Sequence, residues 1–219
     1  MEVRIEKLLY GGDGLARTEN KVLMAPFVAP GELVDVEVTK EHPSRLEARL
    51  MRIVEQSAQR VDPRCAVFQR CGGCHFQHLS YEAQLEAKRG MLVESLARLG
   101  GITLESAPAV IAAEPWHYRN RAQLHFDGGK IGFHAAGSNR LVEISECPIS
   151  SPKLNEAIAA LRQMRREPRF PKFLHAVELF TDEQTVQMNV LAAAKPVAKG
   201  FFDWAAERIP GANRPALDY

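Results

Sequence analysis

The sequence predicts a mixed β and α+β protein: a small OB-like β-barrel, a cysteine-rich loop with a helix, then an α+β domain. Three observations predict it. Residues 1–56 hold short apolar runs broken by glycine and proline turns, the pattern of a small all-β unit. Cys65, Cys71 and Cys74 then crowd one loop. Beyond residue 101, alternating and 3.6-residue periodicities both occur, as in an α+β domain. The expected domains are therefore 1–56, 57–101 and 102–219.

The first strand begins with Val3, Ile5 and Leu8, and Tyr10-Gly-Gly-Asp-Gly14 supplies a glycine-rich turn. A second apolar run over 21–27 closes at Pro30-Gly31. Val34, Val36 and Val38 alternate with Asp35, Glu37 and Thr39, the signature of a strand with one wet face. Leu46, Ala48 and Leu50 repeat the pattern against Glu47, Arg49 and Met51. The glycines suit a hairpin turn needing positive φ, or a turn that brings Arg17 close to a nucleic-acid backbone. Arg4, Lys7, Arg17, Arg45, Arg49 and Arg52 read as a solvated face. Nine Lys/Arg against ten Asp/Glu up to Arg60 leave no basic patch.

The spacing Cys65-x5-Cys71-x2-Cys74 is built to wrap a metal, because a Cys-x2-Cys step lets two thiolates converge and Gly72-Gly73 allows the tight backbone between them. Cys147, followed by Pro148, is the candidate fourth ligand, brought in by a later domain. Spacing alone leaves an iron–sulfur cluster and a structural zinc both open, since each takes four thiolates. A zinc ribbon would show two Cys-x2-Cys pairs, and one is present. A disulfide is disfavoured because nothing marks the chain as secreted.

After the loop, Ser80 is placed to cap a helix with Glu82 in its first turn, and Gly100-Gly101 to end it. Leu85, Leu92, Leu96 and Leu99 form its expected apolar stripe, packing over the metal. Gln77 and His78 are placed to donate hydrogen bonds to sulfur, although a surface position is the commoner explanation of His75 and His78.

In the last domain, Ala122, Leu124 and Phe126 alternate with Arg121, Gln123 and His125, and Asp127-Gly128-Gly129 turns the chain into Ile131 and Phe133 as a β-hairpin. A strand over 141–144 delivers Cys147. Ser151-Pro152 opens a helix with Leu154, Ile158 and Leu161 on one face, running into Arg162, Arg165, Arg166, Arg169 and Lys172. Cations there suit a helix C-terminus on dipole grounds. A second hairpin turns at Thr181-Asp182-Glu183, and a last helix carries Val197, Phe201, Trp204 and Ala205 up to Pro210-Gly211. Arg119 and Arg121, two apart on a strand, can present two forked donors to one phosphate or base edge. An exposed strand face explains them almost as well.

Across 219 residues, 28 Lys+Arg against 27 Asp+Glu give a net charge of +1. Composition thus lends no support to a strongly basic nucleic-acid binder. The charged opening Met-Glu-Val-Arg-Ile-Glu-Lys is unlike a signal peptide and no apolar run reaches membrane-spanning length, so the expected compartment is the cytoplasm.

Four separated motifs in order carry a resemblance: Tyr10-Gly-Gly-Asp-Gly-Leu-Ala-Arg17; Cys65-x5-Cys71-Gly-Gly-Cys74-x-Phe-Gln-His with Tyr81-Glu-Ala-Gln-Leu-Glu-Ala-Lys88; Tyr118-Arg-Asn-Arg-Ala-Gln-Leu124; and Glu146-Cys147-Pro148-Ile149. Together they resemble the RNA (uracil-5-)-methyltransferase family. The resemblance implies that the opening barrel is an RNA-binding TRAM domain and that the four cysteines hold a 4Fe-4S cluster. It also implies that Arg17, Arg119 and Arg121 face RNA, ribosomal rather than transfer RNA. It covers the front half of the family's architecture. S-adenosylmethionine belongs to a C-terminal doubly wound methyltransferase domain, whose glycine-rich fingerprint is not found here. The chain end at 215–219 falls about where that domain would begin, so no catalytic residue is carried over. The alternative is a free-standing, metal-containing nucleic-acid-binding module.

Overall fold

The computed structural model describes residues 1–213; residues 214–219, including the stretch 215–219 where a further domain is expected to begin, lie outside the described residues. Where three successive domains are expected, the chain forms two units. Unit 1 is Met1–Gln69 with Cys74–Ala113, and unit 2 is Arg70–Gly73 with Glu114–Tyr219. The barrel and the helix after the cysteine loop therefore share one unit, while a four-residue step inside the cysteine motif belongs to the other.

Unit 1 is a curled six-stranded sheet with one long helix. The strands are β1 (Glu2–Arg4), β2 (Lys7–Leu8), β3 (Gly14–Arg17), β4 (Val22–Ala25), β5 (Leu33–Glu41) and β6 (Arg45–Glu55). Their order is β1-β5-β6-β4-β3-β2, antiparallel except for β4 beside β6. The two edge strands are consecutive in the chain. The chain bends at Ile5 and Glu6, so its first half pairs with β5 and its second with β3. One bent strand thus joins both edges of the sheet, which removes the exposed edges an open sheet would carry. Ile5, Ala16, Leu23, Val28, Val34 and Val36 fill the interior. The Val34–Val36 alternation holds, but Val38 is 40% exposed because β5 and β6 run on past the core as a long ribbon.

Helix α1 (Tyr81–Gly100) begins and ends at the expected caps. The Ser80 side chain accepts from the Ala83 amide, and Gly101 adopts the left-handed conformation at φ 63°. Its expected stripe is not the packed one: Leu92 is 49% and Leu99 88% exposed. Ala83, Ala87 and Met91, at i, i+4 and i+8, pack instead on Leu8, Ala29 and Leu79. Ala83 and Ala87 put small side chains on this face, and Met91 fills the space beyond them.

Unit 2 is a five-stranded antiparallel sheet of order β11-β10-β7-β8-β9. Its strands are β7 (Arg121–Asp127), β8 (Lys130–His134), β9 (Leu141–Glu143), β10 (Leu174–Thr181) and β11 (Val186–Ala193). The β7–β8 turn uses Gly128 and Gly129 at φ 50° and 91°, the primed geometry that tight hairpins require. Helix α2 (Pro152–Met164) is capped by Ser151 and buries Leu154, Ala157, Ile158, Leu161 and Met164. Helix α3 (Lys199–Arg208) adds Phe201 and Trp204 to a ring cluster reaching Phe126 through Phe170.

Candidate metal centre and nucleic-acid interface

In unit 1, Cys65 opens a turn closed by the Phe68 amide on its carbonyl at 3.1 Å. Its own amide donates to Gln77 Oε1 at 3.2 Å. Gln77 thus serves the backbone of a cysteine through an acceptor atom. His78 corrects the surface expectation: it is fully buried, donates from Nε2 to the Val28 carbonyl at 2.9 Å, and packs beside Phe27 and Phe68. Burial pulls its pKa down. His75 is exposed, as expected. The glycine-rich turn has a packing role. A Cβ on Gly12, at φ 103°, would stand 2.6 Å from the Cβ of His75, so glycine there lets the residue after Cys74 lie against the barrel.

In unit 2, Cys71 bridges to Ala135, and the Gly72 amide donates to the His134 carbonyl at 3.0 Å. A Cβ on Gly72 would come within 3.0 Å of the Ala136 amide nitrogen, which explains why the step between these cysteines needs a residue without a side chain. The point a Cβ would occupy on Gly73 is 3.5 Å from Cys71 Sγ and 3.7 Å from Arg119 Nη1. The Arg119 guanidinium and the Cys71 thiol therefore flank the same spot.

Cys147, 8% exposed, sits in a turn closed by the Ser150 amide on its carbonyl at 2.9 Å. Asn155, in the first turn of α2, brackets that turn. It accepts from the Cys147 amide at 2.9 Å and donates to the Cys147 and Ser150 carbonyls, both at 3.0 Å. The other side is held by main chain, with the His117 amide on Pro148 O, the Arg119 amide on Ile149 O and the Ser151 amide on Arg119 O. Nothing in the sequence marks Asn155 for this task.

Among the described residues, no group of three or more His, Cys, Asp or Glu side chains stands ready to hold a metal ion. None of the four cysteines is in a disulfide; Cys65 and Cys74 belong to unit 1, Cys71 and the buried Cys147 to unit 2. Soft thiolates select zinc or iron–sulfur over hard cations.

The arginines divide. Arg17, at the end of β3, is exposed and paired with Glu6 at 3.0 Å. All six cations of the expected wet face have carboxylate partners: Arg4 with Glu55, Lys7 with Glu94, Arg17 with Glu6, Arg45 with Glu47, Arg49 with Glu37 and Arg52 with Glu2. Arg119 is not on the same strand as Arg121. It forms an isolated bridge with Ser150, whereas Arg121 opens β7 and lies 5.5 Å over the Phe180 ring. The cations after α2 stack on rings, Arg169 at 4.0 Å over Trp204 and Arg165 at 5.1 Å over Phe170. One pair was missed by sequence reasoning: the rings of His125 and His134 stack with centroids 3.6 Å apart, a diagonal neighbourhood across β7 and β8 that only the register reveals. Burial first, and then the neighbouring His134, lower the His125 pKa.

A family model described as the TRAM domain matches residues 1–51, the greater part of the curled sheet. The match assigns a TRAM domain to that stretch alone; unit 2 lies outside it. Across 204 residues the chain is 33% identical to the 23S rRNA (uracil(1939)-C(5))-methyltransferase of Shewanella woodyi, covering 90% of this chain and 46% of that protein. It is 36% identical over 172 residues to an RNA methyltransferase of Halalkalibacterium halodurans, covering 76% of this chain and 38% of that protein. The crystal structure of Pyrococcus abyssi tRNA (uracil-54, C5)-methyltransferase in complex with S-adenosyl-L-homocysteine superposes with a TM-score of 0.69 at 26% identity, over 100% of this chain and 53% of that one. These homologues are RNA methyltransferases and support that family for this chain, which spans about half the length of the curated relatives it matches. Among the described residues no helix is long and apolar enough to cross a membrane.

Proposed function

We propose that this chain is the RNA-binding and cluster-bearing half of an S-adenosylmethionine-dependent RNA uracil-C5 methyltransferase acting in the cytoplasm. The observation that carries the reading is collinearity: 90% of the chain aligns with less than half of a ribosomal-RNA uracil methyltransferase, with a TRAM domain at its start. Ribosomal RNA as substrate is supported by the printed activity of that relative, a 23S rRNA methyltransferase. Methyl transfer and S-adenosylmethionine are assigned to a separate C-terminal methyltransferase domain, and no catalytic residue is placed in the units described.

Cys65, Cys71, Cys74 and Cys147 would hold a 4Fe-4S cluster, which the family resemblance favours over zinc. When bound, the cluster would supply four iron–thiolate bonds and serve as a structural brace and part of the RNA platform rather than as an electron carrier. Arg17, Arg119 and Arg121 would face the RNA. The Arg17–Glu6 pair is exposed and worth at most about 1 kcal/mol, so a phosphate can displace the carboxylate at little cost.

Protein purified without oxygen should be brown and carry about four irons per chain. Replacing Cys147 by serine should lower that content and bleach the visible absorption. A colourless protein with one zinc would refute the cluster assignment.

A further inference from the structure

We propose that Asn155 is the positioning residue of the cysteine centre: its carboxamide fixes the 147–150 turn, and with it the direction in which Cys147 offers its thiolate. The inference deepens the cluster assignment and rests on it, but the geometry behind it lies wholly within unit 2. An amide side chain has one acceptor and two donor hydrogens. Asn155 uses all three on one turn: Oδ1 takes the Cys147 amide, and Nδ2 serves the carbonyls of Cys147 and Ser150.

The carboxamide itself is held. Its backbone lies in the first turn of α2, where the Asn155 amide donates to the Ser151 carbonyl at 3.0 Å. Ser151 caps that turn, and Pro152 fixes φ at its start. Beneath it, Leu154, Ala157 and Ile158 are fully buried. A rigid helix therefore aims a rigid side chain at the residue expected to ligate.

The turn needs such a clamp. A thiolate bound to a metal must be presented within a few tenths of an ångström of a set bond length. Residues 145–148 lie outside any helix or strand, where backbone freedom is greatest. The main-chain bonds from His117 and Arg119 reach Pro148 and Ile149, and the turn's own closing bond takes only the Cys147 carbonyl. Asn155 is the described side chain that holds the Cys147 amide.

Replacing the ligand's support, with the ligand kept, typically weakens metal affinity 10- to 100-fold. The test compares wild type, Asn155→Ala, Asn155→Asp and Leu161→Val, the last a buried α2 substitution that lowers stability without touching the turn. Full-length proteins prepared without oxygen are assayed for iron per chain, visible absorption, and the rate at which air bleaches them. Iron-free, reduced samples are alkylated, and the rate at Cys147 is read against Cys65 by mass spectrometry.

Asn155→Ala should lose its colour in air about tenfold faster and alkylate selectively faster at Cys147, while Leu161→Val behaves as wild type at equal folded fraction. Asn155→Asp keeps the acceptor for the Cys147 amide but sets a carboxylate oxygen against the Cys147 and Ser150 carbonyls, and should bleach at least as fast as Asn155→Ala. Unchanged bleaching and unchanged Cys147 alkylation in Asn155→Ala would overturn the proposal. A wild type without iron would refute the cluster assignment instead, and the alkylation ratio would still decide whether Asn155 governs Cys147.

Discussion

Removing the charge of Glu32 should destabilise unit 1 by about 3–5 kcal/mol, far more than any other single ion-pair change in the barrel. Glu32 is fully buried. Its oxygens accept from Arg60 Nε at 2.5 Å and Nη2 at 2.9 Å, from the Ala29 amide at 2.8 Å and from the Ser57 amide at 3.5 Å. Arg60 also donates to the Phe27 carbonyl at 2.8 Å, so the pair ties the 27–32 segment to the chain leaving β6. In Glu32→Gln the shape survives, but a guanidinium only 11% exposed keeps its charge without a counter-ion. Breaking a buried pair in this way leaves an uncompensated charge, the source of the large figure. The matched control is Glu37→Gln, whose partner Arg49 is 65% exposed; there the loss should stay within about 1 kcal/mol. Native-state hydrogen exchange at the amides of Val34 and Val36 reads unit 1 specifically. Changing both partners together, Glu32→Leu with Arg60→Met, should recover more than half of the loss, since an apolar pair of similar size leaves no orphaned charge. A cost for Glu32→Gln no greater than that for Glu37→Gln would refute the reasoning.

The same residue gives a pH signature. Burial pushes the Glu32 carboxyl up, but its hydrogen bonds to Arg60 and to the Ala29 amide outweigh this and hold its pKa below the ordinary value. Its contribution is thus complete above the unfolded glutamate pKa and disappears as pH falls through the folded one, so wild type and Glu32→Gln should converge in acid unfolding curves. His78 acts at higher pH. Burial lowers its pKa, so the unfolded chain takes up the proton first, and unit 1 should lose stability as pH drops below about 6.5. His78→Gln should flatten that slope in urea midpoints measured between pH 7.5 and 5.5, and an unchanged slope would place the titration elsewhere. For RNA, alanine at both Arg119 and Arg121 should weaken binding of a structured ribosomal RNA fragment and reduce the log–log salt slope by up to about 2. Filter binding over a salt series checks it, and an unaltered slope would remove both from the interface.

What the sequence displays and what it conceals follow from the range of the interactions involved. Ser80, Ser151 and Gly101 are legible because caps act within one turn of chain, and Gly128-Gly129 because a tight hairpin demands positive φ there. The packing face of α1 is hidden for the opposite reason. Leucines 85, 92, 96 and 99 make the stronger periodic signal, yet Ala83, Ala87 and Met91 are the residues that pack on Leu8, Ala29 and Leu79, partners far off in the chain. His78 looks like a surface residue until the Val28 carbonyl, fifty positions away, is found to hold it. The cysteine spacing marks candidate ligands from sequence alone. That Asn155 brackets Cys147, and that Arg119 stands by Gly73 off the strand of Arg121, depends on tertiary placement without a local code. Strand β3 is missed because Gly14 belongs at once to the glycine turn and to the ladder, where Val28 leaves room for no Cβ.

The step at Arg70–Gly73 has a consequence for any attempt to take the molecule apart. The chain crosses from the first unit to the second, returns, and crosses again at Glu114. Cutting the gene after residue 69 strands α1 away from its barrel; cutting after 113 deprives Ala135 of its bridge to Cys71. No single break point yields two intact pieces, so each unit depends on chain from both sides of any cut, and fragment expression should fail where point substitution succeeds.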